Sequence, residues 1–128
     1  MGRLDGKVAL ITGGASGLGK STGKLMAQEG ADVILSDIQT VEGQKVAESI
    51  NQGGGSCIFR SHDTTIESDW EDICSEILDE HGHLDILLNG AGVGSNAVEI
   101  EEMDMEIWRR CISVNLDCVF IGWYHGFR

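Results

Sequence analysis

The sequence predicts a single α/β domain over residues 1–128, a doubly wound parallel sheet with helices on both faces. Three observations predict it. Short apolar runs alternate with helical patterns of about ten or more residues, as βαβ units require. The first apolar run breaks at Thr12 into a glycine-rich turn, Gly13-Gly14-Ala15-Ser16-Gly17-Leu18-Gly19, and a helical pattern follows at once. The second run ends on an acid, Asp37, 18 positions after Gly19.

The elements follow in order. Strand one is expected over residues 7–12 and a helix over 17–30, with Leu18, Thr22, Leu25 and Met26 on one face. Strand two covers 32–36. The next helix covers 40–52, carries Val46 and Ile50 one turn apart, and stops at Gly53-Gly54-Gly55, where glycine serves as a C-terminal stop. Strand three is expected over 56–60. The helix after it begins at Thr65 or Ser68 and runs to His81, with Ser68-x-x-Glu71 as a capping box. Its Trp70, Ile73, Cys74, Ile77 and Leu78 form an apolar stripe at helical spacing. Strand four covers 84–89, a helix covers 104–113, and a last helix starts near Asn115. Right-handed crossovers give the strand order 3-2-1-4.

That topology sets the glycine turn at the carboxyl end of strand one, in the crevice where such sheets bind ligands. Bare backbone and a helix N-terminus there suit a pyrophosphate, because glycine removes the side chains that would hold phosphates away. The spacing is Thr-Gly-x-x-x-Gly-x-Gly rather than Gly-x-Gly-x-x-Gly, since position 22 is Thr. Asp37, at the end of strand two, can accept hydrogen bonds from the adenosine ribose and would repel a 2′-phosphate. No Lys or Arg stands at positions 14, 15, 16, 36 or 38 to offset that repulsion. NAD is therefore expected over NADP.

Composition narrows the remaining classes. The chain has 128 residues, 41% of them hydrophobic, with 18 glycines and no proline, a globular rather than a disordered balance. A net charge of −12 argues against nucleic acid and anionic membrane as partners. No apolar run reaches the length of a membrane span, and no apolar signal segment precedes the first strand, so a cytoplasmic location is expected. Cys57 falls in a strand and Cys74, Cys111 and Cys118 fall in helices, without zinc-ligand spacing. Reduced thiols and no metal are expected. His62, His81, His83 and His125 read as solvated or capping residues at loops and helix ends, without partner carboxylates at a telling spacing.

Several motifs together carry a family resemblance: the Thr12–Gly19 turn, Asp37, Asp63-Thr64-Thr65 after strand three, Leu88-Asn89-Gly90-Ala91-Gly92 after strand four, and Val114-Asn115. On these the chain resembles the N-terminal half of a short-chain dehydrogenase/reductase of the NAD-dependent, single-domain type, with a Rossmann fold. It differs from the family's Asn-Asn-Ala-Gly in having Asn89-Gly90-Ala91-Gly92. The resemblance implies an oxidoreductase passing a hydride between nicotinamide and a secondary alcohol or ketone, cyclic or steroid-like, in a full-length homo-oligomer. It implies cofactor contacts at Gly13, Ser16, Gly17, Leu18, Gly19, Asp37, Asp63, Thr64, Asn89, Gly90, Ala91 and Gly92. Asp63 would meet the adenine or serve as an N-cap or turn aspartate, Asn89 would line the pocket or tie strand four to its neighbours, and Gly94 and Ser95 could line the nicotinamide side or simply turn the loop.

Asn115 matches the family's catalytic Asn, which distorts a helix and holds a water in a proton relay; it also reads as an N-cap opening the last helix. The relay's Ser and its Tyr-x-x-x-Lys are expected beyond Arg128, only 13 residues after Asn115. Tyr124-x-x-x-Arg128 is a poor substitute: it follows Asn115 too soon, sits on the wrong helix, and Arg does not readily release a proton. The expected reading is thus the cofactor-binding half of such an enzyme. A catalytically inactive nucleotide-binding or subunit-pairing module is the alternative. A methyltransferase-like domain could also place an acid after strand two, but the Thr12–Gly19 spacing and Asn89-Gly90-Ala91-Gly92 weigh against it. Leu84 to Asn89 would also be an apolar sheet edge, so the 128-residue chain is expected to be marginally stable and prone to associate.

Overall fold

A computed structural model describes residues 2–94 and 98–128. Four strands, β1 (Val8–Thr12), β2 (Asp32–Asp37), β3 (Ser56–Ser61) and β4 (Ile86–Leu88), form one sheet in the order β3-β2-β1-β4. All three pairings are parallel, with Val8 opposite Asp32, Asp32 opposite Ser56, and Ala9 opposite Ile86. This is the predicted doubly wound order. The register brings Thr12, Asp37, Ser61 and Leu88 to one edge of the sheet, where the chain leaves every strand.

Helices α1 (Gly17–Gln28) and α2 (Thr40–Gln52) cover one face, and α3 (Glu67–His81) and α5 (Cys118–Gly126) lie on the other. The alternation of strand side chains splits the core accordingly. Ile11, Val33, Leu35, Cys57 and Phe59 pack with Ala27, Val46, Ala47 and Ile50. Val8, Leu10 and Ile34 pack with Trp70, Ile73 and Ile77, and Ile121 of α5 closes that layer.

Three local expectations are corrected. On α1 the core face is Gly19, Gly23 and Ala27, while Leu18 and Leu25 point to solvent. Small residues suit this face: a Cβ on Gly23 would press into the Leu35 side chain at 2.7 Å. Ser68-x-x-Glu71 is not a capping box, because α3 starts earlier, with Ile66 at the N-cap and no side-chain cap bond. The carboxylate of Asp69 instead accepts the Asp63 N–H at 2.9 Å. Leu78 of the predicted stripe is exposed, and Trp70, Ile73 and Ile77 bury the helix.

After β4, α4 (Met105–Ile112) is capped by Asp104, whose carboxylate accepts the Ile107 N–H at 2.8 Å. It runs through a π-helical turn, Ser113–Asp117, directly into α5. Asn115 therefore sits inside a continuous helical segment and is not the N-cap of a new helix. Among the described residues β4 pairs only with β1 and forms the sheet edge, with Ile86, Leu87 and Leu88 half-buried.

Candidate functional site

The carboxyl edge of the sheet opens into a cleft of about 680 Å³. Its walls come from every segment the sequence pointed to. The β1–α1 turn contributes Gly13, Ser16, Gly17, Leu18 and Gly19; the end of β2, Asp37; the end of β3, Asp63 and Thr64; and the segment after β4, Gly90, Ala91 and Gly92.

The turn is shaped by backbone approach. Gly13 has φ +68°, and a Cβ there would stand 2.6 Å from the Gly90 carbonyl oxygen. Only glycine meets both conditions. A Cβ on Gly19 would collide with the Gly13 carbonyl. Thr12 joins the two loops: its Oγ1 accepts the N–H groups of Gly90 and Ala91 at 3.1 and 3.2 Å and donates to the Leu88 carbonyl at 3.4 Å.

α1 has extended backbone at its N-cap, Ser16, no side-chain cap bond and no acidic residue in its first turn. The first amides of an α-helix have no intrahelical partner, and here they border the cleft. Such amides, aligned with the helix dipole, hold phosphate without a cationic side chain. That matters because, among the described residues, the cleft offers a single cation, Arg110, beside two acids, Asp37 and Asp63.

Asp37 is buried, at 9% exposure. Its Oδ2 accepts the Ala15 N–H at 3.1 Å and its Oδ1 the Gln39 N–H at 3.0 Å. Both oxygens keep lone pairs, so a carboxylate held this firmly can still accept from a vicinal diol. Asp63 closes an Asx turn, accepting from the Thr65 N–H at 2.9 Å and hydroxyl at 2.7 Å. The Thr65 hydroxyl bond, chief among these effects, holds the Asp63 carboxyl below the usual carboxylate range. Thr64 is buried, and its carbonyl accepts the Trp70 indole N–H at 2.9 Å.

Two expected residues lie away from the cleft wall. Asn89 has a buried Oδ1 without a hydrogen-bond partner among the described residues, packed so closely on α5 that a Cβ on Gly122 would come within 2.7 Å of it. Asn115 is exposed, and its amide pairs with one residue of the β4–α4 segment: Oδ1 accepts the Val93 N–H at 2.9 Å and Nδ2 donates to the Val93 carbonyl at 2.8 Å. The π-helical turn around Asn115 interrupts the regular bonding ladder, a distortion often found at functional sites. Gly94 is exposed and outside the cleft, while Ser95 falls outside the described residues.

The cleft also has walls the sequence reading did not assign: Ile38, Gln39, His62, Thr65, Val93, Arg110 and Ser113. Arg110 precedes Val114 by one helical turn, a spacing that could have placed it beside that motif. The histidine expectation needs correction. His62 is buried at 2% exposure with Nδ1 2.9 Å from Ser36 Oγ. His125 meets Glu67 at 3.0 Å and His83 meets Asp85 at 3.1 Å, so both have partner carboxylates. These partners lie 58 and 2 positions away, and the first is invisible to local spacing. Tyr124 lies on α5, with the Arg128 guanidinium 4.4 Å from its ring centroid. The four cysteines are free, and burial pushes the Cys57 thiol up to about 12.

Comparison with known proteins agrees with this architecture. The sequence model of the short chain dehydrogenase family matches residues 7–127. (+)-Borneol dehydrogenase 2 of Salvia officinalis is 40% identical over 128 residues, a match that covers 98% of this chain and 44% of that protein. 3-beta-Hydroxysteroid dehydrogenase of Comamonas testosteroni is 39% identical over 124 residues, covering 97% of this chain and 47% of that one. A crystal structure of a metagenomic short-chain oxidoreductase in complex with NADP superposes with a TM-score of 0.90 at 27% identity, over 95% of this chain and 55% of that chain. The chain spans about half the length of the curated relatives it matches.

Proposed function

The chain belongs to the short-chain dehydrogenase family, and we propose that it forms the NAD-holding half of an oxidoreductase acting on a secondary alcohol or ketone. The observation that carries the cofactor choice is Asp37. It is a buried carboxylate pinned from both sides by Ala15 and Gln39, at the end of β2 where the adenosine ribose would lie. It favours a free 2′-hydroxyl and disfavours a 2′-phosphate, although a relative of the same fold carries NADP.

In this reading the amides opening α1 and the bare Gly13 backbone hold the pyrophosphate. Asp63 and Thr64 border the adenine, and Gly90, Ala91 and Gly92 let the adenosine and the nearer ribose approach the backbone. NAD, when bound, supplies the hydride acceptor. Asn115, its amide paired with Val93 of the cleft wall, would hold the water of a proton relay whose other members would be a Ser, a Tyr and a Lys. The names of the borneol and hydroxysteroid relatives support a cyclic or steroid-like alcohol as substrate class. A homo-oligomeric, cytoplasmic enzyme is the setting we propose. Among the described residues no helix is long and apolar enough to cross a membrane.

A second reading, a non-catalytic module that binds nucleotide or pairs with another subunit, is favoured by the exposed Phe120, Trp123, Tyr124 and Phe127 on and after α5. Titration of the chain with NAD and NADP, for wild type and Asp37→Ala, tests the first. The reading expects NAD to bind more tightly than NADP and Asp37→Ala to lose most of that preference. Equal affinities for the two proteins would remove Asp37 from the role. NAD-linked turnover of an alcohol by the pure chain would eliminate the non-catalytic alternative.

A further inference from the structure

His62 has no role in the reading above, yet it is the least exposed ionisable side chain in the cleft wall, 2% against 9% for Asp37. Its Nδ1 shares a buried hydrogen bond of 2.9 Å with the hydroxyl of Ser36, itself 0% exposed. Its main-chain N–H donates to the Asp37 carbonyl at 3.1 Å. The Ser36 carbonyl accepts the Gly14 N–H at 3.0 Å, and the Asp37 carboxylate accepts the Ala15 N–H at 3.1 Å. One imidazole thus braces the point where the end of β2 meets the glycine turn.

The other ring nitrogen sharpens the point. Nε2 is buried without a hydrogen-bond partner among the described residues, and the ring stands edge to face with Trp70 at 4.5 Å. An unmet buried polar atom is costly, so an apolar side chain of similar volume would fill this space at less expense. The bond from Nδ1 to Ser36 is what such a side chain could not supply.

We propose that His62 is a positioning residue for the cofactor site: through Ser36 it fixes the end of β2 so that Asp37 faces the adenosine ribose, and it thereby sharpens the choice of a 2′-hydroxyl over a 2′-phosphate. This rests on the reading of the cleft as an NAD site. Without the Ser36–His62 bond, the last residues of β2 keep their main-chain pairing to β1 and β3 and the bonds to Gly14, Ala15 and Gln39, but lose the side-chain brace that ties Ser36 to the end of β3. The end of β2 then gains freedom to shift as a unit, and the Asp37 carboxylate, still bonded to Ala15 and Gln39, shifts with it relative to the ribose. NAD loses an acceptor, whereas NADP also loses a repulsion, so the two affinities converge.

The test is calorimetric titration of the full chain with NAD and with NADP, alongside thermal melts, for wild type, Ser36→Ala, His62→Leu, His62→Asn and the Ser36→Ala/His62→Leu double variant. Loss of one buried hydrogen bond corresponds to about threefold to tenfold. Ser36→Ala and His62→Leu should each shrink the NAD-over-NADP preference by about that factor, and the double variant should shrink it no further. His62→Asn, whose amide lies close to the Nδ1 position, should retain the wild-type preference. If Ser36→Ala, the mildest change, and His62→Leu leave the preference intact while lowering the melting temperature, the bond is merely structural and the proposal falls. A wild-type chain that binds neither dinucleotide, or prefers NADP, overturns the reading of the cleft itself.

Discussion

At Gly13 two demands coincide, a φ of +68° and a carbonyl 2.6 Å from where a Cβ would lie. Gly13→Ala should therefore cost at least about 1 kcal/mol from the backbone alone, with the Gly90 contact adding to it, and should abolish NAD binding; urea denaturation and titration measure the two effects. Thr12→Val removes the acceptor that holds the Gly90 and Ala91 amides. It should cost about 1–3 kcal/mol, read as a lowered denaturation midpoint at unchanged slope. The glycine turn and Asp37 were legible because they are local: a strand, a turn and an acid at a set distance state their own geometry. His62 was not, because Ser36 lies 26 positions away and only strand pairing brings them together. Asn115 misled in part, since one residue type serves both as N-cap and as the anchor that its amide pair with Val93 reveals.

His62 also has a pH signature. Burial holds its pKa below the ordinary 6.5, against the opposing pull of Asp69 and then Asp63. Below pH 6.5 the unfolded chain takes up a proton that the folded ring resists, so the unfolded state binds more protons and stability falls as pH falls. The contribution is complete above 6.5 and is lost as pH drops through the lower folded value. Stability measured from pH 7.5 to 5 should decline in wild type and less steeply in His62→Asn. An equal decline in both would assign the loss to other groups.

Among the elements, α3 shows how much a periodic pattern can deliver. Trp70, Ile73 and Ile77 were readable as its buried stripe and are its core contacts. Its start was not readable, since a Ser-x-x-Glu signal is short and Asp69 had a tertiary partner in Asp63. Trp70→Ala, at a fully buried ring that also bonds Thr64, should cost about 3–5 kcal/mol, enough to unfold a marginal domain in a thermal melt. α1 gave the opposite lesson. Its large apolar side chains suggested a face, but the helix buries the small residues Gly19, against the glycine turn, and Gly23 and Ala27, against the sheet layer, and Leu18 is left in solvent at the cleft. Hydrophobicity picks out a core face only where there is room for side chains.

For the whole molecule, strand order and the sheet edge that bears the cleft followed from the alternation of elements, whereas the exposure of apolar side chains on α5 did not, because it depends on which elements meet in the fold. Among the described residues β4 leaves an open edge with Ile86, Leu87 and Leu88 half-buried, and Phe120, Trp123 and Phe127 stand exposed on and just after α5. Exposed apolar edges pair with other chains. Light scattering of the pure chain should accordingly show mass rising with concentration, despite a net charge of −12; a sharply melting, monodisperse monomer would contradict this. The central claim, that bare amides at the β1–α1 bend cradle the phosphates of a dinucleotide whose ribose Asp37 grips, is tested most directly by amide NMR during an NAD titration. Shifts should concentrate at Gly13, Gly17–Gly19, Asp37, Asp63–Thr64 and Gly90–Gly92. A saturating spectrum that leaves those amides in place, or moves only residues of α3 and α5, would contradict it.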